Sequence, residues 1–492
     1  MKSMLPQSLA FSHCFMIGIK GVGMAALAQC LLDAGIKVSG CDVTEIFVTE
    51  KILSTLDIVV DTIETTSLPT TADCVIYGSA HQGIQHPLVQ EAIARNIPVF
   101  SHAQMLGLLS QEKQTIAVCG VGGKSTTSAW IAWTLDQIGA HPSYQIGVGE
   151  IIGLPRTGRW DAAGTLFVVE ADEYAENPQE FARGAEVIPR FHYLQPNTII
   201  CTNLLYDHPD VYSSFADTEE TFFKFFCQIK PEGTIIWNAD DANLRKLIQK
   251  VDTARPDVVT LSFGTTPNAD LRISDLGFQQ NLHRAQFISQ SPITQLQSSP
   301  VLSFSLPGLH NLQNAAAVWI ATCLLNNSAT LISQHITSFK STSRRFQFIR
   351  QINSTYFFDD YAHHPTEIAA ILSACKAQFP TAKLVVIFQP HTFSRTKALL
   401  SSFATAFNAT DVLILTPIFG SAREKSGGIT ENELATAIRN VQSNQTQVIV
   451  AKSLEAAAHD ISKLDLFNTV VITLGAGDVY LLHSLLPTKA KP

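Results

Sequence analysis

The run Val118-Cys119-Gly120-Val121-Gly122-Gly123-Lys124-Ser125-Thr126-Thr127 holds the residues best suited to chemistry. Its glycines let the backbone wrap phosphate oxygens and point N–H groups inward, with Val121 and Thr126 part of the same wrap. Lys124 would neutralise the outer phosphates of a nucleoside triphosphate, and the Ser125 hydroxyl would ligate Mg2+. A helix from Ser125 onward would aim its positive end at the anion. The standard P-loop asks for Gly where Val118 stands, so what remains is a shortened G-x-x-G-K-[ST]-T form. A glycine-rich turn with a solvated lysine is the plain alternative. The apolar run Thr115-Ile116-Ala117-Val118 before the loop argues for the phosphate reading.

Strands and helices must hold such residues in place, and three strand–loop–helix beginnings supply the map. Phe15-Met16-Ile17 leads into Gly18-Ile19-Lys20-Gly21-Val22-Gly23-Met24 and a helical stretch through Leu32, while Val38–Asp42 is a second strand ending in an acid. Cys74–Tyr77 and Ile97–Phe100 read as later strands of this first unit, residues 1–110, which gives way to the polar link Ser110–Gln114. The second unit, 111–328, carries strands at Thr115–Val118, Leu166–Glu170, Thr198–Thr202 and Thr234–Trp237. Its stretch 267–300, rich in Gln, Ser and Asn, reads as small antiparallel strands and loops, and a helix over Asn311–Leu325 closes it. The third unit, 329–492, has its strands after Ser341, at Tyr356–Asp360, Leu384–Phe388, Val412–Leu415 and Val470–Leu474. Short apolar runs alternating with helical segments predict parallel sheets with crossover helices. The expected fold is α/β in three consecutive domains, Rossmann-like, P-loop ATPase-like and Rossmann-like.

Composition narrows the function classes. A chain of 492 residues, 46% hydrophobic and 15% charged, is long enough for several buried cores. A net charge of −8 leaves no excess of Lys and Arg for nucleic-acid backbones or anionic membranes, though local cationic sites for small phosphates remain open. Nine cysteines form no CxxC pair, which speaks against a zinc ribbon or thioredoxin-type site and fits a reducing cytosol. The apolar stretch Phe15–Gly35 contains Lys20, Asp33 and several glycines, so a buried strand–loop–helix is favoured over a signal or membrane span. The expectation is a cytoplasmic monomer or weak homodimer, with no nucleic-acid partner and no membrane insertion.

Glu170-Ala171-Asp172-Glu173 and Thr202-Asn203-Leu204-Leu205-Tyr206-Asp207-His208, following the shortened loop, resemble the Mur ligases. The resemblance runs from about Phe15 to Gly477 in the family's order. That family adds amino acids to the UDP-linked muramyl precursor of peptidoglycan. The resemblance implies ATP and Mg2+, activation of the muramyl carboxylate as an acyl phosphate, and attack by an amine. Asp359-Asp360-Tyr361-Ala362-His363-His364-Pro365-Thr366-Glu367 and Phe388-Gln389-Pro390-His391-Thr392-Phe393-Ser394-Arg395-Thr396 are similar to stretches of members that join L-alanine to UDP-N-acetylmuramate. Members that reattach a recycled tripeptide to the same UDP-sugar are the alternative, since they too carry a DD-aromatic-x-HHP run.

By this resemblance Ser125 and Glu170 hold Mg2+, and His208 ligates a second metal. Glu170 ends the apolar run Leu166-Phe167-Val168-Val169, at the carboxyl end of a strand where α/β sites assemble, although a helix-capping acid is the plainer reading. His208 taken alone would be a hydrogen-bonded loop histidine. Asn311 and Asn314 are expected on the adenine side, with helix capping the simpler role for Asn311. Arg345 is expected to reach the ATP phosphates, its neighbour Arg344 being equally readable as a solvated charge. Asp360 would hold the ribose or the domain closure, and Asp359 the strand end. Gly18, Gly21, Gly23 and Asp42 are assigned to the UDP-sugar. Tyr361, His363, His391 and Arg395 are assigned to the amino acid: the planar fork of Arg395 suits a carboxylate, and either histidine could take the ammonium proton.

Three positions depart from the family pattern: Gly122 where a histidine is usual, Leu205 where an acid is usual, and Thr392 where an arginine is usual. None removes Lys124, Glu170, His208 or Arg395, whose presence speaks against a nucleotide-binding sensor that has lost catalysis. A dinucleotide-dependent oxidoreductase fails on spacing, because Gly18-x-x-Gly21-x-Gly23 is not GxGxxG and the second glycine loop would go unexplained.

Overall fold

The computed structural model describes residues 11–178, 186–420, 427–442 and 446–486, and its strands form three sheets. The first is parallel throughout: β1 (His13–Ile17), β2 (Lys37–Asp42), β3 (Val59–Thr62), β4 (Cys74–Tyr77) and β5 (Val99–Ser101) lie in the order β3-β2-β1-β4-β5. Helix α1 (Val22–Asp33) follows β1 and buries Met24 through Leu31, because it is covered by its own sheet on one side and the central unit on the other. That double burial explains why its sequence is apolar nearly all round. Among the described residues no helix is long and apolar enough to cross a membrane.

The central sheet has ten strands: β6 (Gln114–Cys119), β7 (Ser143–Gln145), β8 (Gly158–Arg159), β9 (Leu166–Glu170), β10 (Thr198–Cys201), β11 (Thr234–Asn238), β12 (Val259–Gly264), β13 (Leu271–Gln279), β14 (Leu282–Ser289) and β15 (Val301–Phe304). Their order is β15-β14-β13-β12-β11-β10-β6-β9-β7-β8. The small strands expected over 267–300 are an antiparallel hairpin, β13 and β14, whose first strand joins β12 in parallel and whose second carries the edge strand β15. Helices α2 (Lys124–Gln137) and α3 (Leu309–Leu324) bury Trp130 and Trp319 between them and the sheet. Helix α3 starts at Leu309 behind Gly308, so Asn311 sits inside its first turn and does not cap it. The Asn311 amide instead donates to the Pro307 carbonyl at 2.8 Å.

The third sheet comprises β16 (Gln347–Ile352), β17 (Thr355–Asp360), β18 (Lys383–Phe388), β19 (Val412–Leu415), β20 (Gln447–Val450) and β21 (Thr469–Leu474), ordered β16-β17-β21-β18-β19-β20. Only β16 runs antiparallel. Helix α4 (Pro365–Gln378) follows β17, with His364 and Glu367 forming a capping box at its start, and the short α5 (Phe393–Ala398) follows β18.

The run Ser110–Gln114 is not a loose link: a helix continues to Gln111 and β6 opens at Gln114, leaving Glu112 and Lys113 between them. One apolar cluster then runs through the first and central units, joining Leu27, Met105 and Leu109 to Phe167, Phe191 and Phe222. Buried Gln29 of α1 accepts N–H bonds from Thr157 at 3.1 Å and Gly158 at 3.2 Å. Residues 329–339, expected in the third unit, pack with the central one: Ile332, Ile336 and Phe339 join its apolar cluster and Phe339 stacks on Trp130, because this segment covers α2. From Phe346 onward the third unit has its own apolar clusters, and polar contacts link it to the central one.

Candidate active site

Strand register sets the geometry around the phosphate loop. Val118 pairs with Glu170 on β9 and Cys119 with Cys201 on β10, so the loop leaves β6 with Glu170 on one side and Thr202 on the other. Gly120 and Gly123 have φ of +117° and +87°, and a Cβ at Gly123 would lie 2.8 Å from Asn314 Oδ1. Asn203 holds the loop from the β10 side: its Oδ1 accepts the Gly122 N–H at 3.0 Å and its Nδ2 donates to the Gly122 carbonyl at 2.8 Å. The loop is therefore fixed by the protein itself.

Lys124 opens α2 and its Nζ reaches Glu173 Oε2 at 2.9 Å. Burial alone would lower this ammonium's pKa, but Glu173, Asp172 and Glu170 outweigh it and hold the group charged. The Ser125 hydroxyl donates to Glu170 Oε1 at 2.7 Å, and Gly147 N–H donates to Glu170 Oε2 at 3.0 Å. Burial pushes the Glu170 carboxyl up despite Lys124 and Ser125, which marks a place where a further cation would be stabilised. A hydroxyl and a carboxylate are hard oxygen donors suited to Mg2+, which takes few protein ligands and completes its shell with phosphate and water. Among the described residues no group of three or more His, Cys, Asp and Glu side chains forms a metal cage. His208 stands apart from this pair, its Nε2 3.5 Å from Glu173 Oε1 and 3.7 Å from Asp207 Oδ2. Burial would lower its pKa, yet Asp207 and Glu173 raise it on balance, so the ring keeps a proton more readily than a free imidazole.

The third unit brings its residues to the same cavity. A space of about 860 Å³ is lined by Lys124, Ser125, Glu170 and His208 from the central unit, by Arg345, Tyr361, His363, His391 and Arg395 from the third, and by Val22 and Val48 from the first. Arg395 is 4% exposed and forked onto Asp207, Nε to Oδ1 at 2.8 Å and Nη2 to Oδ2 at 3.2 Å. The cation assigned to an amino-acid carboxylate is thus already paired across the seam. The two histidines are chemically distinct. His363 Nδ1 lies 3.0 Å from the Tyr361 carbonyl, which can only accept, so the proton sits on Nδ1 and Nε2 keeps its lone pair. Burial, then Arg395, pushes the His363 pKa down, keeping the ring neutral. His391 Nδ1 instead lies 3.3 Å from Arg395 Nη1, which can only donate, leaving the His391 proton on Nε2.

A second cavity of about 680 Å³ lies beyond the loop, lined by Gly122, Gly123, Thr126, Asn311, Asn314, Arg345 and Asp360. Burial pushes the Asp360 carboxyl up to about 6, while it accepts N–H bonds from Phe346 and Ala362, both at 2.7 Å. Arg344 is no solvated charge: it pairs with Asp359 at 3.1 Å, donates to the Gly475 and Gly477 carbonyls, and lies between Tyr361 and Tyr480. At the first sheet, Asp42 accepts Lys20 N–H at 2.7 Å and faces His81 Nε2 at 3.2 Å, bracing the Gly18–Gly23 turn. Glu173, Asp207 and Arg190 are the site residues that sequence reasoning passed over. The first two lie in the quoted runs beside Glu170 and His208, whereas nothing in the sequence singles out Arg190.

Comparison with known proteins adds names to this geometry. Residues 13–114 match the model "Mur ligase family, catalytic domain", residues 118–322 the "Mur ligase middle domain", and residues 344–477 the "Mur ligase, glutamate ligase domain". The UDP-N-acetylmuramate–L-alanine ligase of Desulfitobacterium hafniense is 34% identical over 480 residues, spanning 95% of this chain and 98% of its own. The enzyme of the same name from Pediococcus pentosaceus is 32% identical over 471 residues, spanning 95% and 96%. The crystal structure of a UDP-N-acetylmuramate-alanine ligase from Thermotoga maritima shares the fold at TM-score 0.74 and 23% identity, over 96% of this chain and 98% of that one. A murein peptide ligase from Psychrobacter arcticus shares it at TM-score 0.66 and 20% identity, over 96% and 97%.

Proposed function

We infer the reaction from one premise, that this chain belongs to the Mur ligase family. It is an ATP-dependent ligase that joins L-alanine to the carboxylate of UDP-N-acetylmuramate, a step of peptidoglycan precursor synthesis. The observation that carries the residue assignments is the convergence of all three units on one cavity, with Lys124 and Glu170 on one wall and His363 and Arg395 on another.

In this reading ATP lies along the phosphate loop, with Lys124 and Arg345 on its phosphates and Asn311 and Asn314 on the adenine side. Ser125 and Glu170 would hold Mg2+, which would supply charge neutralisation for transfer of the γ-phosphoryl to the muramyl carboxylate. His208, once its proton leaves, is the candidate for a second ion. Gly18, Gly21, Gly23 and Asp42 frame the UDP-sugar. L-Alanine enters between Tyr361, His363, His391 and Arg395, and its amine must lose a proton before it attacks the acyl phosphate. His363 accepts that proton on Nε2, because its neighbour His391 presents N–H rather than a lone pair there. Nine free cysteines, eight of them buried, support a reducing, cytoplasmic location.

The test is direct. Purified protein with ATP, Mg2+ and UDP-N-acetylmuramate should release phosphate and form a ligated product on addition of L-alanine. Formation of product only with L-alanyl-γ-D-glutamyl-diaminopimelate would replace this reading with tripeptide ligation.

A further inference from the structure

A small chamber of about 200 Å³ lies behind the main cavity, lined by Val22, Gly23, Lys124, Glu170, Asp172 and Arg190 among others. It shares Val22, Lys124, Glu170 and Asp172 with the larger space, so the two are continuous. Arg190 sits on its wall with its side chain 27% exposed. Nη1 donates to Asp172 Oδ2 at 2.5 Å, and Nη2 donates to Ser79 Oγ at 2.6 Å. Ser79 follows β4 of the first sheet and Asp172 follows β9 of the central one, so a single guanidinium spans the junction where a UDP-sugar must pass from its glycine loop to the phosphate loop.

The backbone keeps that guanidinium in place. Arg190 N–H donates to the Tyr174 carbonyl at 3.0 Å, and the neighbouring Phe191 is buried and stacked on Phe225 at 4.2 Å. The guanidinium carbon also lies 5.4 Å from the centre of the Tyr174 ring. A guanidinium has five N–H donors, and two of those on Arg190 are taken by Asp172 and Ser79. Lys124, the other cation of the chamber, is committed to Glu173. An incoming carboxylate would meet Glu170, Asp172 and Glu173 and would need a cation with donors to spare.

We propose that Arg190 is a substrate-binding residue that takes the carboxylate of UDP-N-acetylmuramate and registers it beside Lys124 and Glu170 for phosphoryl transfer. The proposal rests on the reading of the reaction given above. It favours the carboxylate over the diphosphate because Lys124 and Glu170, beside which phosphoryl transfer is read to occur, line the same chamber as Arg190.

Calorimetric titration of the full chain with UDP-N-acetylmuramate and with UDP-N-acetylglucosamine, which lacks the lactyl carboxylate, separates the two contacts. Arg190→Ala should weaken UDP-N-acetylmuramate binding roughly 10- to 100-fold, as expected for a lost charged hydrogen bond, with UDP-N-acetylglucosamine and ATP changed less than about threefold. Arg190→Gln, which keeps neutral donors for Asp172 and Ser79, should lose nearly as much and guards against a folding defect in the alanine variant. Equal loss for both sugars, or no loss for either, overturns the proposal. A wild-type protein that binds neither UDP-sugar, or binds both and ligates no L-alanine, instead overturns the reaction on which it rests.

Discussion

Where the first unit meets the central one, α1 lies against β7 and β8, Gln29 is sealed among backbone donors, and a single apolar cluster crosses the junction. Where the chain from Phe346 onward meets the central unit, the apolar clusters of the described residues stay separate and polar pairs cross: Arg395 on Asp207, His364 Nε2 3.3 Å from the Tyr206 carbonyl, and Gln378 Nε2 donating to the Asn281 carbonyl at 3.2 Å. Apolar area that leaves water holds two bodies together whatever the ligands do. Ionic and hydrogen-bonded contacts can be exchanged for contacts with substrate at small net change. The first seam therefore acts as a fixed joint, which would align a UDP-sugar with the phosphate loop. The second is the one that ligands can remake, and it carries the residues proposed for the amino acid.

Lys124→Ala should produce the largest effect and leave both seams standing. Turnover should fall by about 1000-fold or more, as for loss of a preorganised charge at a phosphoryl transfer, while thermal unfolding still reports a folded three-unit protein. Near-normal phosphate release would remove the phosphate loop from the mechanism.

Arg395→Ala strikes the second seam alone. It deletes a cation beside the amino-acid site and strands Asp207, which burial would neutralise but His208 and Arg395 hold well below the usual carboxylate range. The L-alanine KM should rise roughly 100-fold, and ATP and UDP-sugar affinities should move less than about threefold. Asp207→Ala should reproduce much of the defect, and the double variant should be far from the sum of the two. A matching loss of UDP-sugar affinity would show that the two seams are not independent.

Gly21→Val tests the first seam from the ligand side. Gly21 has φ −57° and its added Cβ would meet nothing closer than 3.5 Å, so the fold should accept the side chain. UDP-N-acetylmuramate binding should weaken about tenfold while ATP binding survives, as read by separate titrations. Equal loss of both ligands would mean the joint itself had been disturbed.

The smallest effect concerns acid. Burial holds His102, at the first seam, and His310, beside the nucleotide cavity, down to about 4 from an ordinary 6.5. Because the folded values lie below the unfolded one, the unfolded chain binds more protons between pH 6.5 and 4. The stability these rings contribute is complete above 6.5 and is lost as pH falls toward 4. Melting temperature should drop by a few degrees across that window, and a His102→Gln, His310→Gln double variant should flatten the slope. An unchanged slope would mean that neither ring is desolvated in solution.

The parts legible in sequence were those written in contiguous residues. Apolar runs such as Leu166–Glu170, Cys74–Tyr77 and Val412–Leu415 are strands at those bounds because both faces of a central parallel strand are buried. Strands β3 and β16 escaped notice because they stand at sheet edges, where half the side chains face water and no apolar run forms, whereas the edge strand β20 carries the short run Val448-Ile449-Val450 that was passed over. The same division holds in the site. Lys124, Ser125 and Glu170 are announced by a loop and a strand end. Their partners Glu173, Asp207 and Arg190 are fixed by distances between segments far apart in the chain, and Arg344, read as a candidate surface charge, is locked by carbonyls 131 and 133 residues away.

The Asp207–Arg395 pair joins residues 188 positions apart. On a ribosome the central unit is finished well before Arg395 emerges, and domains generally fold as they are made. The nascent central unit thus carries an Asp207 that has His208 beside it but not yet the guanidinium that forks onto it, and water must fill that place. ATP, on the proposed assignment, would meet Lys124 at that stage, but the dry chamber that would commit an acyl phosphate to an amine could not close. Birth order makes the last-made third of the chain the safeguard against wasteful hydrolysis by an unfinished enzyme.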